Sequence, residues 1–319
     1  MLATSSSVDP QFREDVLRGL SSLPRAIPAR WLYDSRGSEL FDDITRLASY
    51  YPTATETRLL ERIMPEVAKA VGAGRTVVEF GAGSLTKTPI LLRAVDALRY
   101  VPVDISGDYL REAAEGLAGE FPDLDIHPVE ANFGEAMDLP DSAHGEKVLG
   151  FFPGSTIGNF VPWSATNLLR HFRTTLGTGA LLLIGMDRVK PVERLVAAYD
   201  EPEGVTAAFN LNLLDRINRE LDGTIPVGSF VHEARWNDIM SRIEMHLVAT
   251  ADVTFEVAGR SFAMAAGESI HSENSHKYGP RGGRLLLLAG GWTPIREWTD
   301  AAGDFSLILA EAQPERFAP

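Results

Sequence analysis

The residues with usable chemistry begin at a turn rich in glycine. In Val77-Val78-Glu79-Phe80-Gly81-Ala82-Gly83-Ser84 a short apolar run ends in Gly-x-Gly. Glycines at such a point let backbone approach a ligand closely, just ahead of a helix N-terminus whose N–H groups favour electron-rich groups. Gly-x-Gly alone is weak, because plain tight turns produce it too. Asp104 strengthens it. It closes the next apolar run about 20 residues on, where a carboxylate can accept both hydroxyls of a ribose. Two adjacent strand ends carrying these groups point to a nucleoside cofactor.

The spacing narrows which one. Position 86 is Thr, so the third glycine that a dinucleotide site uses for close packing is missing. The stretch from Gly81 to Lys87-Thr88 lacks the glycine before the lysine that a phosphate loop requires. An acid just before the glycines, here Glu79, is instead the pattern of S-adenosylmethionine-dependent methyltransferases. Gly154-Ser155-Thr156-Ile157-Gly158 has Thr at its centre and is no nucleophile elbow. The chain has no cysteine, which excludes thiolate metal sites, iron–sulfur clusters, disulfides and a Cys nucleophile. Its seven histidines are scattered and read as surface or packing residues, so no metal is expected.

These residues need elements to hold them. At roughly 150 residues per domain, a chain of 319 holds about two. With 45% apolar and 23% charged residues it can fold around a large core, which argues against disorder. A net charge of −14 argues against nucleic-acid binding, which rests on clustered Lys and Arg. No basic start followed by an apolar stretch opens the chain, and runs such as Leu181–Ile184 are too short to span a bilayer, so a cytoplasmic location is expected. Strands are predicted at 76–80, 99–104, 125–130, 148–152 and 180–185, alternating with helices at 86–98, 108–120 and 165–176, the rhythm of a parallel α/β sheet. A helix is predicted at 205–220, antiparallel strands around Arg235, 243–249 and 253–257, a helix at 282–289, and late strands at 292–298 and 305–309. The economical reading is a sheet domain, 53–190 plus 281–319, interrupted by a second domain, 191–280, which the first residues, 8–52, join.

Longer blocks resemble a known family, the histidine-specific Nα-methyltransferases of ergothioneine biosynthesis. They include Trp31-Leu32-Tyr33-Asp34, Gly37-Ser38-Glu39-Leu40-Phe41-Asp42, Ile44-Thr45, Tyr50-Tyr51-Pro52-Thr53 and Glu56. Gly154 to Asn159, Gly204 to Asn210, Asn218 to Leu221, Arg242 to Met245, Trp298-Thr299-Asp300 and Gly303-Asp304-Phe305 extend the likeness over nearly the whole chain. The resemblance implies an α/β fold: a Rossmann-like methyltransferase sheet with an inserted α+β substrate-binding domain. It also implies S-adenosylmethionine as cofactor, S-adenosylhomocysteine as product, and L-histidine as a substrate methylated three times to hercynine.

Carried over by the resemblance, the cofactor site takes Gly81, Lys87, Asp104, Asn132 and Phe133. Lys87 meets the methionine carboxylate, Asp104 the ribose, and Asn132-Phe133 the adenine. The family has Asp where this chain has Asn132. Taken alone, Lys87 reads as a solvated helix lysine and Phe133 as a core aromatic. The implied substrate site takes Tyr50, Asn159, Tyr199, Met245, Glu273, Asn274 and Ser275, with Tyr33 and Gly154 near the amine. Tyr33 and Asn159 are the candidate catalytic residues. Tyr50, Tyr199 and Asn159 can donate to a carboxylate; Tyr33, Asn159 or Gly154 can accept from the amine. Glu273 and Ser275 can bond an imidazole at both nitrogens, and Met245 offers soft packing. Alternatives are the same fold acting on another amino acid such as tryptophan, or a non-catalytic cofactor-binding regulator. An indole has one donor and no acceptor, so Glu273 with Ser275 favours imidazole. A monomer without nucleic-acid or membrane partners is expected.

Overall fold

Short β-branched and aromatic runs, punctuated by Gly, Pro and Asp, alternate here with amphipathic stretches. The computed structural model describes residues 9–314 except 84, 136 and 138, and only the backbone at 108 and 109. Ser84 of the glycine turn, residue 8 and residues 315–319 of the expected domains lie outside the described residues. In chain order the elements begin with α1 Pro10–Ser21, β1 Arg25–Ala26, α2 Ser35–Arg46 and α3 Tyr51–Val71. There follow β2 Thr76–Phe80, α4 Thr88–Ala94, β3 Arg99–Asp104, α5 Gly107–Glu120, β4 Asp125–Ile126 and β5 Val129–Glu130. Next come β6 Val148–Phe152, α6 Pro162–Leu176, β7 Leu181–Asp187, α7 Val192–Ala197 and α8 Val205–Glu220. The chain closes with β8 Phe230–Asn237, β9 Arg242–Ala249, β10 Val253–Val257, β11 Arg260–Met264, β12 Ser269–His276, α9 Gly282–Ala289, β13 Trp292–Thr299 and β14 Phe305–Ala312.

The chain divides into two units: Met1–Tyr50 with Pro191–Asn274, and Tyr51–Lys190 with Ser275–Pro319. The last division falls within β12, at 274/275 rather than at 280/281.

The larger unit is built on an eight-stranded sheet of order β13-β14-β7-β6-β2-β3-β4, with β5 also pairing β3. Pairs from β4 to β7 are parallel, whereas β14 and β13 add antiparallel. Strand β2 has β3 on one side and β6 on the other, so the winding reverses there. A Rossmann-like sheet offers its ligand crevice at the carboxyl ends of the strands flanking such a reversal. One face of the sheet packs against Leu59, Ile63 and Val67 of α3 and Leu91 of α4; the other packs against Leu169 and Phe172 of α6 and Leu287 of α9. Phe80 stacks on Phe172 with centroids 3.7 Å apart. Strands buried on both faces explain the continuous apolar runs.

The smaller unit is α+β. Its sheet has the order β1-β12-β9-β8. Strands β8 and β9 pair antiparallel from Phe230↔Ala249 to Asn237↔Arg242, and β10 with β11 forms a hairpin. Ile243, Met245, Leu247 and Ala249 alternate into the core. Asp34 caps α2 by accepting from Gly37 N at 2.8 Å and also binds Asn212 and Arg219. A Cβ at Gly37 would lie 1.8 Å from Leu32 O, which explains that glycine without reference to function.

Some expected elements differ. The strand foreseen at 125–130 is two pieces, β4 and β5, because Pro128 has no N–H for the ladder; His127 N and Ala131 N bond to β3 on either side of it. The helix foreseen at 86–98 is shorter. Asp96, at φ 47°, turns the chain so that Leu98 N reaches Arg75 O. Strand β7 runs on to Asp187, and β11 and β12 were not foreseen. No helix among the described residues is long and apolar enough to cross a membrane.

Candidate active site

In the larger unit, β2 delivers the chain to Gly81, whose φ of +75° suits only glycine without strain. Gly81 N and Ala82 N bond Val103 O, which places the glycine turn beside the end of β3 and Asp104. Asp104 Oδ1 accepts from Ser106 N at 2.9 Å; burial nonetheless raises its carboxyl above the usual range. A desolvated acid at this strand end suits the hydroxyls of a ribose, so the donor set fits a nucleoside cofactor. Glu79 does not face the crevice. It is buried and accepts from Thr88 Oγ1 at 2.7 Å and Tyr100 OH at 2.6 Å, and burial pushes it up to about 7. Phe133 lies in ordinary contact distance of a Cβ at Gly81, 3.7 Å, and packs edge-on against Phe152. Asn132 is turned onto its own loop: its oxygen accepts from Gly134 N at 3.1 Å and its amide donates to Glu135 at 2.7 Å.

Lys87 and Gly154 come together through a residue absent from the expected site. Glu56 of α3, fully buried, forms an ion pair with Lys87 and accepts from Gly154 N at 2.8 Å. Lys87 Nζ would stand 3.7 Å from a Cβ at Gly154, itself at φ +76°. The signal for Glu56 was its place in the stripe Pro52, Thr55, Leu59, Leu60 and Ile63, an acid on the buried face of a helix. Asn159 follows Gly158 in a short turn. A Cβ at Gly158 would come within 2.9 Å of His276 O, and Gly158 O bonds His276 Nδ1 at 2.8 Å. This seats residues 275–277 beside 156–159. Lys277 Nζ donates to Ser275 Oγ at 2.8 Å and pairs with Asp187 at 2.7 Å. Asp187 also accepts from Tyr51 OH at 2.6 Å and pairs with Lys190 at 2.5 Å. Burial works to raise Asp187, but Lys277 and Lys190 hold its carboxyl below the usual range.

In the smaller unit, Tyr33 OH donates to Glu273 Oε1 at 3.3 Å. The Tyr33 ring meets Phe41 and Phe209 edge-on, and Tyr50 meets Tyr199 with centroids 5.7 Å apart. Burial first, then the Glu273 charge, raise the Tyr33 phenol well above its ordinary value, so Tyr33 keeps its proton. Met245 is buried on β9, and its carbonyl accepts from Ser272 Oγ at 3.1 Å. Asn210 of α8 ties this strand pair: Ser272 Oγ donates to its oxygen at 2.6 Å and its amide reaches His246 O at 3.2 Å. Asn274 Oδ1 is buried with no hydrogen-bond partner among the described residues. Two of the histidines scattered in sequence come together in space, His246 and His271, beside Glu244.

The sequence profile of the histidine-specific, S-adenosylmethionine-dependent methyltransferases matches residues 12–312. The chain is 41% identical over 315 residues to histidine N-alpha-methyltransferase of Mycolicibacterium smegmatis, covering 97% of each. It is 42% identical over 304 residues to the protein of that name from Mycobacterium tuberculosis, covering 93% of this chain and 94% of the other. It is 29% identical over 299 residues to ergothioneine biosynthesis protein 1 of Neurospora crassa, covering 86% of this chain and 32% of that protein. With the profile spanning all but the chain's ends and both bacterial relatives aligned nearly end to end, this chain belongs to the S-adenosylmethionine-dependent, histidine-specific methyltransferase family.

Proposed function

We propose that the chain transfers three methyl groups in succession to the α-nitrogen of free L-histidine, giving hercynine on the way to ergothioneine. Support comes first from the full-length likeness to two proteins named for that reaction. The Tyr33–Glu273 pair, in which Glu273 is buried, carries the reading chemically, because a desolvated carboxylate is a fitting acceptor for an imidazole N–H. The enzyme on this reading is a cytoplasmic monomer acting on a free amino acid.

S-adenosylmethionine supplies an electrophilic methyl on a sulfonium; the chain's residues orient and desolvate. Asp104 accepts the ribose hydroxyls beside Gly81, and Lys87, steadied by Glu56, offers a positive charge to the methionine carboxylate. Phe133 and Asn132 are assigned to the adenine, Asn132 by rotating out of its turn. On the amino acid, Glu273 accepts from the imidazole and Ser275 donates to its other nitrogen, since Lys277 already donates to the serine oxygen. Tyr50, Tyr199 and Asn159 donate to the carboxylate, Met245 packs on the ring, and Asn274 offers its buried oxygen. The Tyr33 oxygen, the Asn159 carbonyl and the Gly154 carbonyl are the acceptors that aim the amine. Each transfer forms an N–C bond as a C–S bond breaks, and the new ammonium loses a proton to water before the next. An α-amino group titrates near about 8, so the chain needs no strong base, only alignment. Mass spectrometry of histidine incubated with enzyme and S-adenosylmethionine tests the reading: species heavier by one, two and three methyls are expected. Unmodified histidine alongside methylated tryptophan would overturn it.

A further inference from the structure

We propose that Glu244, His246 and His271 form a binding site for a first-row divalent transition metal, with Zn2+ the ion its donors fit best. Each residue offers one donor atom, and the three atoms lie within 4.8 Å of one another. Glu244 and His246 stand two apart on β9 and so share a face of that strand; His271 comes from the neighbouring β12. Two imidazoles and one carboxylate suit Zn2+, Co2+ or Ni2+ rather than Mg2+ or Ca2+, which want oxygen throughout.

Each prospective ligand already has a partner that orients it. His271 Nε2 lies 3.0 Å from the Glu273 carbonyl oxygen, which can only accept, so the hydrogen is on Nε2 and the lone pair on Nδ1. His246 Nδ1 lies 3.1 Å from Ser269 Oγ, and its Nε2 faces Glu244 Oε2 at 3.3 Å. The other Glu244 oxygen accepts from Asn237 Nδ2 at 2.9 Å and Arg242 Nε at 2.8 Å. A ring nitrogen held by a hydroxyl or carbonyl, and a carboxylate held by donors, is how proteins fix metal ligands. Around a tetrahedral Zn2+ with bonds of about 2.0–2.1 Å, two donors stand about 3.3–3.4 Å apart, the spacing found between Glu244 and His246. His271 must move further. Its ring stacks on His246, centroids 4.9 Å apart and 18° from parallel, and must tilt out of the stack to aim Nδ1 at the ion. The Glu244 and His246 side chains are 14% and 11% exposed, which leaves the ion a path from solvent. A bound ion would clip β9, which carries Met245, to β12, which carries Glu273.

The test uses the untagged full chain, stripped with chelator and free of histidine, itself a chelator. Titration with CoCl2 should give one visible d–d spectrum per chain, bleached by one equivalent of ZnCl2, with matching heat in calorimetry. His271→Leu should abolish the spectrum, and Ser269→Ala, which keeps all three ligands, should weaken Zn2+ affinity about 10- to 100-fold. S-adenosylhomocysteine binding reports that each variant is folded; if His271→Leu fails that check, Ser269→Ala decides alone. Absence of a cobalt spectrum in the wild type, or Zn2+ affinity unchanged in folded Ser269→Ala, would overturn the site.

Discussion

Glu273→Gln removes one negative charge and keeps the side chain's shape, so it isolates what the charge contributes to histidine recognition. Glu273 is 8% exposed, and Tyr33 OH occupies Oε1 at 3.3 Å. Because Tyr33 keeps its proton, it stays a donor to that carboxylate, which on the proposed reading also accepts from the imidazole N–H. A hydrogen bond to a charged acceptor contributes about 1.5–3 kcal/mol and a neutral one about 0.5–1.5 kcal/mol, a difference of about 1–2 kcal/mol. At about 1.4 kcal/mol per decade that is roughly a 5- to 30-fold fall in kcat/KM. Glu273→Ala leaves the imidazole donor unpaired as well, so about 2–4 kcal/mol and roughly 30- to 1000-fold are expected. The loss should lie in KM, because the ring is remote from the reacting nitrogen and is held alike in ground and transition states. Discrimination against tryptophan should shrink in the Ala variant, which no longer sets a buried charge against an apolar ring. Steady-state kinetics with both amino acids, beside thermal unfolding of each variant, measure this. An unchanged KM for histidine in a Glu273→Ala protein of wild-type Tm would show that the carboxylate does not touch the substrate.

Asp104→Ala should weaken S-adenosylhomocysteine binding in calorimetry by about 1.5–3 kcal/mol per lost ribose bond, and unaltered affinity would remove Asp104 from the site. Glu79, raised to about 7, binds a proton more tightly folded than unfolded, so stability falls as pH rises from the ordinary carboxyl value through 7. Across that window the cost is about 3 kcal/mol at about 1.4 kcal/mol per pH unit, and Glu79→Gln should flatten urea-unfolding profiles between pH 5 and pH 8; an identical slope in both proteins would refute the assignment. Lys277→Met leaves Asp187 with fewer cations in a buried network and should lower unfolding stability by about 3–5 kcal/mol, a midpoint shift that denaturation at pH 7 would detect. Asp187 is held below the usual carboxyl range, so its contribution should be full above that range and fade as pH falls below it, a loss the Met variant shows less of.

The sheet was legible because its strands are buried on both faces. Val77-Val78, Val101 and Leu181–Ile184 are continuous apolar runs that nothing else in a globular chain explains as simply. Strand β12 was not legible, since Ser269–His276 is nearly all polar and reads as a loop. Its pairing with β9 and β1 comes from long-range partners, and residues such as Ser272 are satisfied inside the sheet by Asn210 and Met245 O. Tertiary context overrides propensity there. Pro128 shows the converse: a residue with no N–H for the ladder splits the expected edge strand into β4 and β5, although Pro102 is accommodated within β3.

The site shows a different limit. Gly81 and Asp104 could be read from types and spacing because adjacent parallel strands bring their carboxyl ends together whatever else the chain does. Lys87 and Gly154 could be named only through family likeness, and Glu56, which joins them, could not be named as part of the site at all. An ion pair between residues of distant elements leaves no periodic trace in either one. The trace it does leave is a violation: a charged residue at a position where the helix pattern calls for an apolar one. Glu56 on α3 is such a violation, and Asp187, closing an otherwise apolar β7, breaks a strand's pattern in the same way; Lys277 follows a polar stretch and leaves no such trace, yet all three are fully buried or nearly so and paired. Burying an ion pair brings little net stability, while leaving one charge unpartnered costs several kcal/mol. Residues of this kind therefore mark where a fold is constrained by something other than stability. In this chain Glu56 touches Lys87 and Gly154, and Lys277, which pairs with Asp187, touches Ser275, residues proposed above for the cofactor and substrate sites.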